Sequence, residues 1–239
     1  METKPYRDFN GYLREKYGYR VQKITLDAGL TCPNRDGTVG VGGCIYCNER
    51  GSGSGASAKS LSISKQIQSQ KSYLARRYKA KGFLAYFQSF SNTYAPLPVL
   101  ASLYEEALVD PEVVGLSIGT RPDCLEELTL DYLRELSRDR LIWLELGLQS
   151  AHDRTLLTIR RGHDAAAFVD AVRRSRERRL PVCAHIILGL PGESRREMLA
   201  TARFLADLDI QAVKIHLLYV VRGTTLDCWY QAGRYRCLT

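Results

Sequence analysis

Three cysteines stand close together near the start of the chain. The segment reads Cys32-Pro33-Asn34-Arg35-Asp36-Gly37-Thr38-Val39-Gly40-Val41-Gly42-Gly43-Cys44-Ile45-Tyr46-Cys47. Cys44 and Cys47 form a CxxC pair, and Cys32 lies twelve positions before Cys44. Thiolates are soft ligands, so the chemistry this grouping offers is metal binding. Glycines at 37, 40, 42 and 43 allow the backbone to fold back tightly, so that all three thiolates can converge. Glycine-rich turns also present N–H groups that offset a cluster's negative charge. The number three matters. A [4Fe–4S] cluster usually takes four thiolates, and three leave one iron open for a substrate or cofactor. Structural zinc asks for four ligands, yet no fourth Cys lies nearby and the nearest His is His152. A redox CxxC has no need of Cys32. Spacing therefore favours an iron–sulfur centre, with zinc or an incidental grouping as the alternatives.

The remaining cysteines are 124, 183, 228 and 237. An odd total of seven argues against a disulfide framework. Cys124 and Cys183 read as small buried residues, and Cys228 and Cys237 have no assignment.

The elements that must hold the cysteine segment follow from the rest of the pattern. Apolar, β-branched runs at Val21–Leu26, Phe83–Phe87, Val113–Ile118, Leu141–Leu146, Val182–Leu188 and Val213–Leu218 predict six strands. Between them, helices are predicted near 63–81, 97–109, 125–138, 164–179 and 194–208. Pro96, Pro122 and Pro181 mark junctions, and Asp164 and Glu193-Ser194 are helix-start signals. Strands buried on both faces and joined by helices mean a parallel sheet. The predicted fold is α/β: a partial (β/α)6, TIM-like barrel with parallel strands inside and helices outside. Chemistry in such folds belongs at the carboxyl ends of the strands. The cysteine segment, Gln88–Tyr94, Thr120–Asp123, Gln149–Asp153 and Leu190–Glu193 all fall there.

On the strands, His185 and His216 read more readily as satisfied core histidines than as ligands. Glu145 shares a strand face with Trp143 and Gly147. If that face points inward its charge needs a partner, such as Lys214 or Arg121. The Gly51–Ser60 stretch reads as a flexible loop, or as a cover for the cluster.

The 239 residues carry a formal charge of +8, with 45% hydrophobic and 25% charged residues. That composition suits one folded domain with a full core. The positive balance favours a polyanionic partner such as nucleic acid. Much of it sits in Arg173, Arg174, Arg176, Arg178 and Arg179, which reads equally well as the solvated face of one helix. No run reaches the roughly 18 apolar residues of a membrane helix, and Met1–Leu13 lacks a signal-peptide core. The expected location is the cytoplasm, with no membrane association.

The order of these segments resembles the radical S-adenosylmethionine (SAM) superfamily. The usual CxxxCxxC spacing is not met. The long first gap is instead similar to the elongator catalytic-subunit-like radical SAM proteins and, more closely, to the YhcC-like group. The segments carrying the resemblance are Tyr86–Pro96, Gly115–Cys124, Trp143–Leu156, Arg160–His163, Cys183–Glu193 and Lys214–Val220, in the family's order. The resemblance implies that Cys32, Cys44 and Cys47 ligate a [4Fe–4S] cluster whose open iron binds SAM. It implies SAM contacts from Tyr46, from the Gln88–Asn92 stretch, from Thr120 and Arg121, and from Gln149 and Arg161. Gly189 and Leu190 would line the adenine pocket. Plain packing for Tyr46, a strand-end salt bridge for Arg121 and a solvated position for Arg161 are the alternatives. Many superfamily members carry an acidic residue near Gly119-Thr120, where this chain is uncharged.

The implied activity is reductive cleavage of SAM to a 5′-deoxyadenosyl radical that abstracts hydrogen from a substrate. An electron donor of the flavodoxin or ferredoxin type is implied as partner. Charge and the elongator-like spacing suggest RNA as one candidate substrate; a zinc-stabilised nucleic-acid-binding module without catalysis is the alternative from another class. The expected organisation is an N-terminal extension (1–20), a radical SAM core (21–226) and an unmatched tail (227–239), with the family's C-terminal region missing.

Overall fold

The structure is a computed structural model and describes residues 6–49, 51, 61–208 and 210–238. Apart from Gly51, the Gly51–Ser60 loop lies outside the described residues. Six strands form one parallel sheet in sequential order, β1-β2-β3-β4-β5-β6. They are β1 (Val21–Leu26), β2 (Gly82–Phe87), β3 (Val113–Thr120), β4 (Leu141–Gln149), β5 (Val182–Leu188) and β6 (Ala212–Leu217). Helices α2 (Ile63–Tyr78), α3 (Leu97–Leu108), α4 (Glu127–Leu136), α6 (Ala165–Glu177) and α7 (Arg195–Ala206) are the crossovers between successive strands. The sheet curls into a half-barrel, the predicted architecture.

Strand periodicity sorts the residues between two environments. On β4, Ile142, Leu144, Leu146 and Leu148 point outward into one large apolar core. That core takes Ile63 and Ile67 from α2, Leu100 and Tyr104 from α3, and Leu130 and Leu133 from α4. Phe168 and Val172 of α6 and Leu205 of α7 complete it. Each such side chain contributes about 1.5–3 kcal/mol by leaving water. The intervening positions Glu145 and Gly147 face the barrel interior. The outer apolar layer fixes the curvature and leaves the inner layer free to be polar.

The helix-start signals act as read. Asp164 caps α6 by accepting from Ala167 N, and Ser194 caps α7 in a capping box with Glu197. The predicted 63–81 helix ends earlier, at Tyr78, because Lys79 turns left-handed at φ 53°. Strands β3 and β4 run on to Thr120 and Gln149, beyond their predicted ends.

Three helices were not anticipated: α1 (Phe9–Tyr17), α5 (Asp153–Thr158) and α8 (Thr225–Gln231). All three are short, and a six- or seven-residue helix barely completes two turns of the 3.6 period. α1 packs Leu13 against Val21 and Leu84. Its Phe9 and Tyr12 rings meet Trp143 edge-on at 5.3 and 5.6 Å, stacking aromatic side chains beneath the polar layer.

The arginine-rich face needs correcting. Arg174 and Arg178 are only 17% and 14% exposed. They bridge to Glu127 and Asp131 of α4, while Arg173 pairs with Asp170 and Glu177. Arg174 and Arg178 thus tie this segment to α4, while Arg173, Arg176 and Arg179 are exposed as the solvated-face reading expects.

Candidate radical SAM site

A cavity of about 1000 Å³ opens at the carboxyl ends of the strands. Cys32, Cys44 and Cys47 all line it, as do Tyr46, Gln88, Thr120, Arg121, Gln149 and Arg161.

The cysteine rim is a coil held by its own backbone. Cys32 O accepts from Arg35 N at 2.8 Å, Pro33 O from Val39 N at 2.8 Å, and Asn34 O from Gly43 N at 2.8 Å. Gly42 and Gly43 take φ of 82° and 83°, where a side chain would be strained. A Cβ on Gly43 would also lie 2.9 Å from Arg35 Nη1. The coil docks on the loop after α5, where Ile45 N donates to Ile159 O at 3.1 Å.

Donors then converge on sulfur. Asn34 Nδ2 reaches Cys44 Sγ at 3.5 Å, Arg35 Nη1 reaches Cys47 Sγ at 3.6 Å, and Arg161 Nη1 reaches Cys44 Sγ at 3.8 Å. These neighbours favour thiolate, against burial and the adjacent Cys44, which push the Cys47 thiol up to about 11. Among the described residues, no three His, Cys, Asp or Glu side chains gather tightly enough to hold one metal ion. A cubane cluster asks for something looser, because its three thiolates sit on three different irons. The donor set fits an iron–sulfur cluster better than zinc.

Arg161 is the hinge between rim and wall. It is 8% exposed. Its Nη2 donates to Gly147 O at 2.8 Å, and its Nε is buried with no partner among the described residues. A Cβ on Gly147 would stand 2.6 Å from Arg161 Nη2 and 2.7 Å from Gln149 Nε2, so glycine there admits both side chains. Gln149 has a positive φ of 76° beside a register shift between β4 and β5. Such strain at a strand end aims its side chain into the cavity.

Arg121 is 2% exposed and forks onto Asp123 at 2.9 and 2.6 Å, while its Nη1 donates to Arg161 O at 2.6 Å. It thus anchors Arg161's backbone, and its partner is Asp123, not Glu145. Thr120 Oγ1 pairs with Thr93 Oγ1 at 2.7 Å, and Thr93 donates onward to Cys124 O.

Three resemblance-derived positions lie off the cavity wall. Asn92 is buried and donates to Gly119 O at 2.8 Å, bracing the β2 loop against β3. Gly189 O accepts from Tyr235 at 2.9 Å, and a Cβ on Gly189 would meet Leu238 at 2.9 Å. Leu190 packs with Ile45, Ile187 and Tyr235. Tyr235 and Leu238 of the tail cover this turn.

The other end of the cavity was only partly legible. Glu145, 2% exposed, is the centre of a network. It accepts from Lys23, Ser117 and His185 (2.7 Å), with Lys214 Nζ 3.6 Å away. Burial opposes its ionisation, but the His185 hydrogen bond and the Lys23 and Lys214 charges outweigh that and hold its carboxyl well below the usual range. Burial also pushes His185 down, against Glu145's pull. His216 falls to about 4, through burial and the neighbouring His185 and Lys214. Both shifts favour the neutral imidazole. A neutral His185 donates from Nε2 to Glu145 and accepts at Nδ1 from His216 Nε2, 3.4 Å away. His185 and His216 are cavity residues. Alternation on a strand placed them on one face, but the sequence did not say which face the cavity takes.

A half-barrel with a cysteine-lined cavity at its carboxyl rim defines a class of metallocofactor enzyme. Residues 32–205 match the Radical SAM superfamily, and the chain belongs to that superfamily. It is 44% identical over 236 residues to the uncharacterized protein YtqA of Bacillus subtilis, covering 99% of this chain and 73% of that one. Protein YhcC of Escherichia coli is 43% identical over 95% of this chain and 72% of its own length. A tRNA uridine(34) acetyltransferase of Dehalococcoides mccartyi is 32% identical over 57% of this chain and 31% of its own. The fold superposes on archaeal Elp3 from Methanocaldococcus infernus with TM-score 0.65 at 17% identity, covering 91% of this chain and 50% of that one. This is a radical SAM enzyme, a superfamily that uses a [4Fe–4S] cluster and SAM and needs an electron donor and a substrate. The non-catalytic zinc module is set aside. No helix among the described residues is long and apolar enough to cross a membrane.

Proposed function

We propose that Cys32, Cys44 and Cys47 ligate the cluster, and that SAM lies against Tyr46, Gln88, Thr120, Gln149 and Arg161. One observation carries this reading: the three thiols share one cavity wall, with Asn34, Arg35 and Arg161 donating to two of them. When bound, the cluster supplies one electron to SAM, giving methionine and a 5′-deoxyadenosyl radical that takes hydrogen from the substrate. The chain's own residues position and shield. Arg35 and Arg161 offset the charge of the thiolates. Arg161, which lines the cavity, brings a guanidinium charge to the SAM carboxylate. Arg121 and Gly147 hold Arg161 in place, and the aromatic layer of Phe9, Tyr12 and Trp143 lies beneath the polar interior. Asn92, Gly189 and Leu190 shape the site from behind.

Residues 21–226 form the catalytic core in this reading, 1–20 an N-terminal extension whose α1 lies beneath it, and 227–239 a tail whose Tyr235 and Leu238 lie over the Gly189 turn. The electron donor is of the flavodoxin or ferredoxin type. A cytoplasmic location is supported by seven free cysteines, which suit a reducing compartment.

The test is anaerobic reconstitution with iron and sulfide, reduction with dithionite in the presence of SAM, and assay for 5′-deoxyadenosine. Nucleoside formation that vanishes in Cys32→Ala, Cys44→Ala and Cys47→Ala is the expected result. A protein that takes up zinc and makes no nucleoside overturns it.

RNA as the substrate is a second reading, favoured by the similarity to a tRNA-modifying enzyme. It predicts tRNA binding that falls steeply with salt; a flat salt dependence removes it.

A further inference from the structure

We propose that the polar layer inside the barrel is a recognition site for a substrate carboxylate, with Lys214 as its anchor. The inference rests on the cavity being the SAM-cleaving site, since the two share its walls.

Charge counting leads there first. Glu145 carries one negative charge, and two ammonium groups, Lys23 and Lys214, lie against it. Among the described residues of this layer, the two ammonium groups outnumber the one carboxylate.

Donor counting then says where. Lys23 is bound to Glu145 and also lies over the Phe9 and Tyr86 rings at 4.9 and 4.5 Å. Lys214 donates to Tyr86 Oη at 3.1 Å, and its 3.6 Å separation from Glu145 is beyond a good hydrogen bond. An ammonium has three N–H donors, so Lys214 retains donors on the cavity wall. Glu145 already accepts from Lys23, Ser117 and His185, which hold it as a fixed counter-charge.

The other cations of the cavity are engaged. Arg35 and Arg161 reach the thiols, and Arg121 is forked onto Asp123. A single surplus ammonium on a half-buried wall matches a monoanion. A carboxylate balances it, whereas a phosphate dianion would bring an unpaired charge into the barrel. The site lies on the strands below the cysteine coil, since Glu145 precedes Gly147, whose carbonyl holds Arg161 against Cys44. That placement suits a group which holds the substrate's far end while its reacting carbon faces the rim.

The test uses reconstituted, anaerobic protein labelled with 15N in histidine. Sodium acetate and, separately, phosphate are titrated at constant ionic strength while the His216 and His185 ring resonances are followed. Acetate is expected to shift both rings saturably and to bind more tightly than phosphate. Lys214→Met is expected to weaken acetate about thirtyfold or more, and Lys214→Arg to restore much of it. No saturable shift, equal binding by Lys214→Met, or preference for phosphate overturns the proposal. The wild-type nucleoside assay is read in parallel. Nucleoside formation without acetate binding refutes this inference alone. Acetate binding lost in Lys214→Met, with no nucleoside formed by wild type, supports the anion site and refutes the SAM-cleavage assignment.

Discussion

The two ends of the cavity are built by opposite means. The cysteine rim is irregular backbone, with glycines at positive φ and N–H and guanidinium donors turned onto sulfur. The Glu145 end is regular strand, where Lys23, Ser117, Glu145, His185 and Lys214 come from five of the six strands. A soft cofactor requires a coil that wraps it, and coil is specified by local sequence. A buried ion network requires exact registry between distant segments, and only a sheet supplies that. The rim can therefore be rebuilt around a metal, whereas the interior layer must be preformed.

This contrast can be broken at several points. Cys44→Ala has the largest expected effect: the cluster's visible absorption and all 5′-deoxyadenosine formation are lost, while the unfolding midpoint of the cluster-free protein barely moves. A large loss of apoprotein stability would show that the rim also holds the fold.

Glu145→Gln does the reverse. It leaves Lys23 and Lys214 without their counter-charge and costs about 3–5 kcal/mol in urea unfolding. Adding Lys23→Met recovers part of this. A loss near zero would mean that the network does not support the barrel.

Proton linkage sharpens the same point. His216 titrates at about 4 in the fold against 6.5 as its ordinary value, so between these limits the unfolded chain binds more protons. His185 and Glu145 are also depressed, and all three act in the same direction. Stability falls as pH drops from about 6.5 toward 4, and Glu145 adds to the loss below that. His216→Gln should flatten the upper part of this slope. An unchanged slope would exclude His216 as a contributor.

Gly147→Ala acts where the two ends meet. The added methyl displaces Arg161 and Gln149, costing about 1 kcal/mol of stability but weakening SAM binding clearly in equilibrium dialysis. Unchanged SAM affinity would remove Arg161 from the proposed contacts. Arg178→Ala, outside the barrel, is the smallest change. It costs about 0.5–1 kcal/mol through its bridges to Glu127 and Asp131, with nucleoside formation unaltered.

Local sequence determined the strands, the helix caps at Asp164 and Ser194, and the cysteine rim, because each is specified by neighbours a few residues apart. The alternation of Trp143, Glu145 and Gly147 also showed that they share one face. It did not show that Arg121 pairs with Asp123, or that Lys23 meets Glu145 across 122 positions. Nor did it show that Asn92 turns away to Gly119 O, or that Tyr235 and Leu238 cover Gly189. Those outcomes depend on sheet register and on how the tail packs, and a one-dimensional pattern carries neither. The sequence by itself determined which chemistry the protein has; the closure of the sheet decided which charges face it.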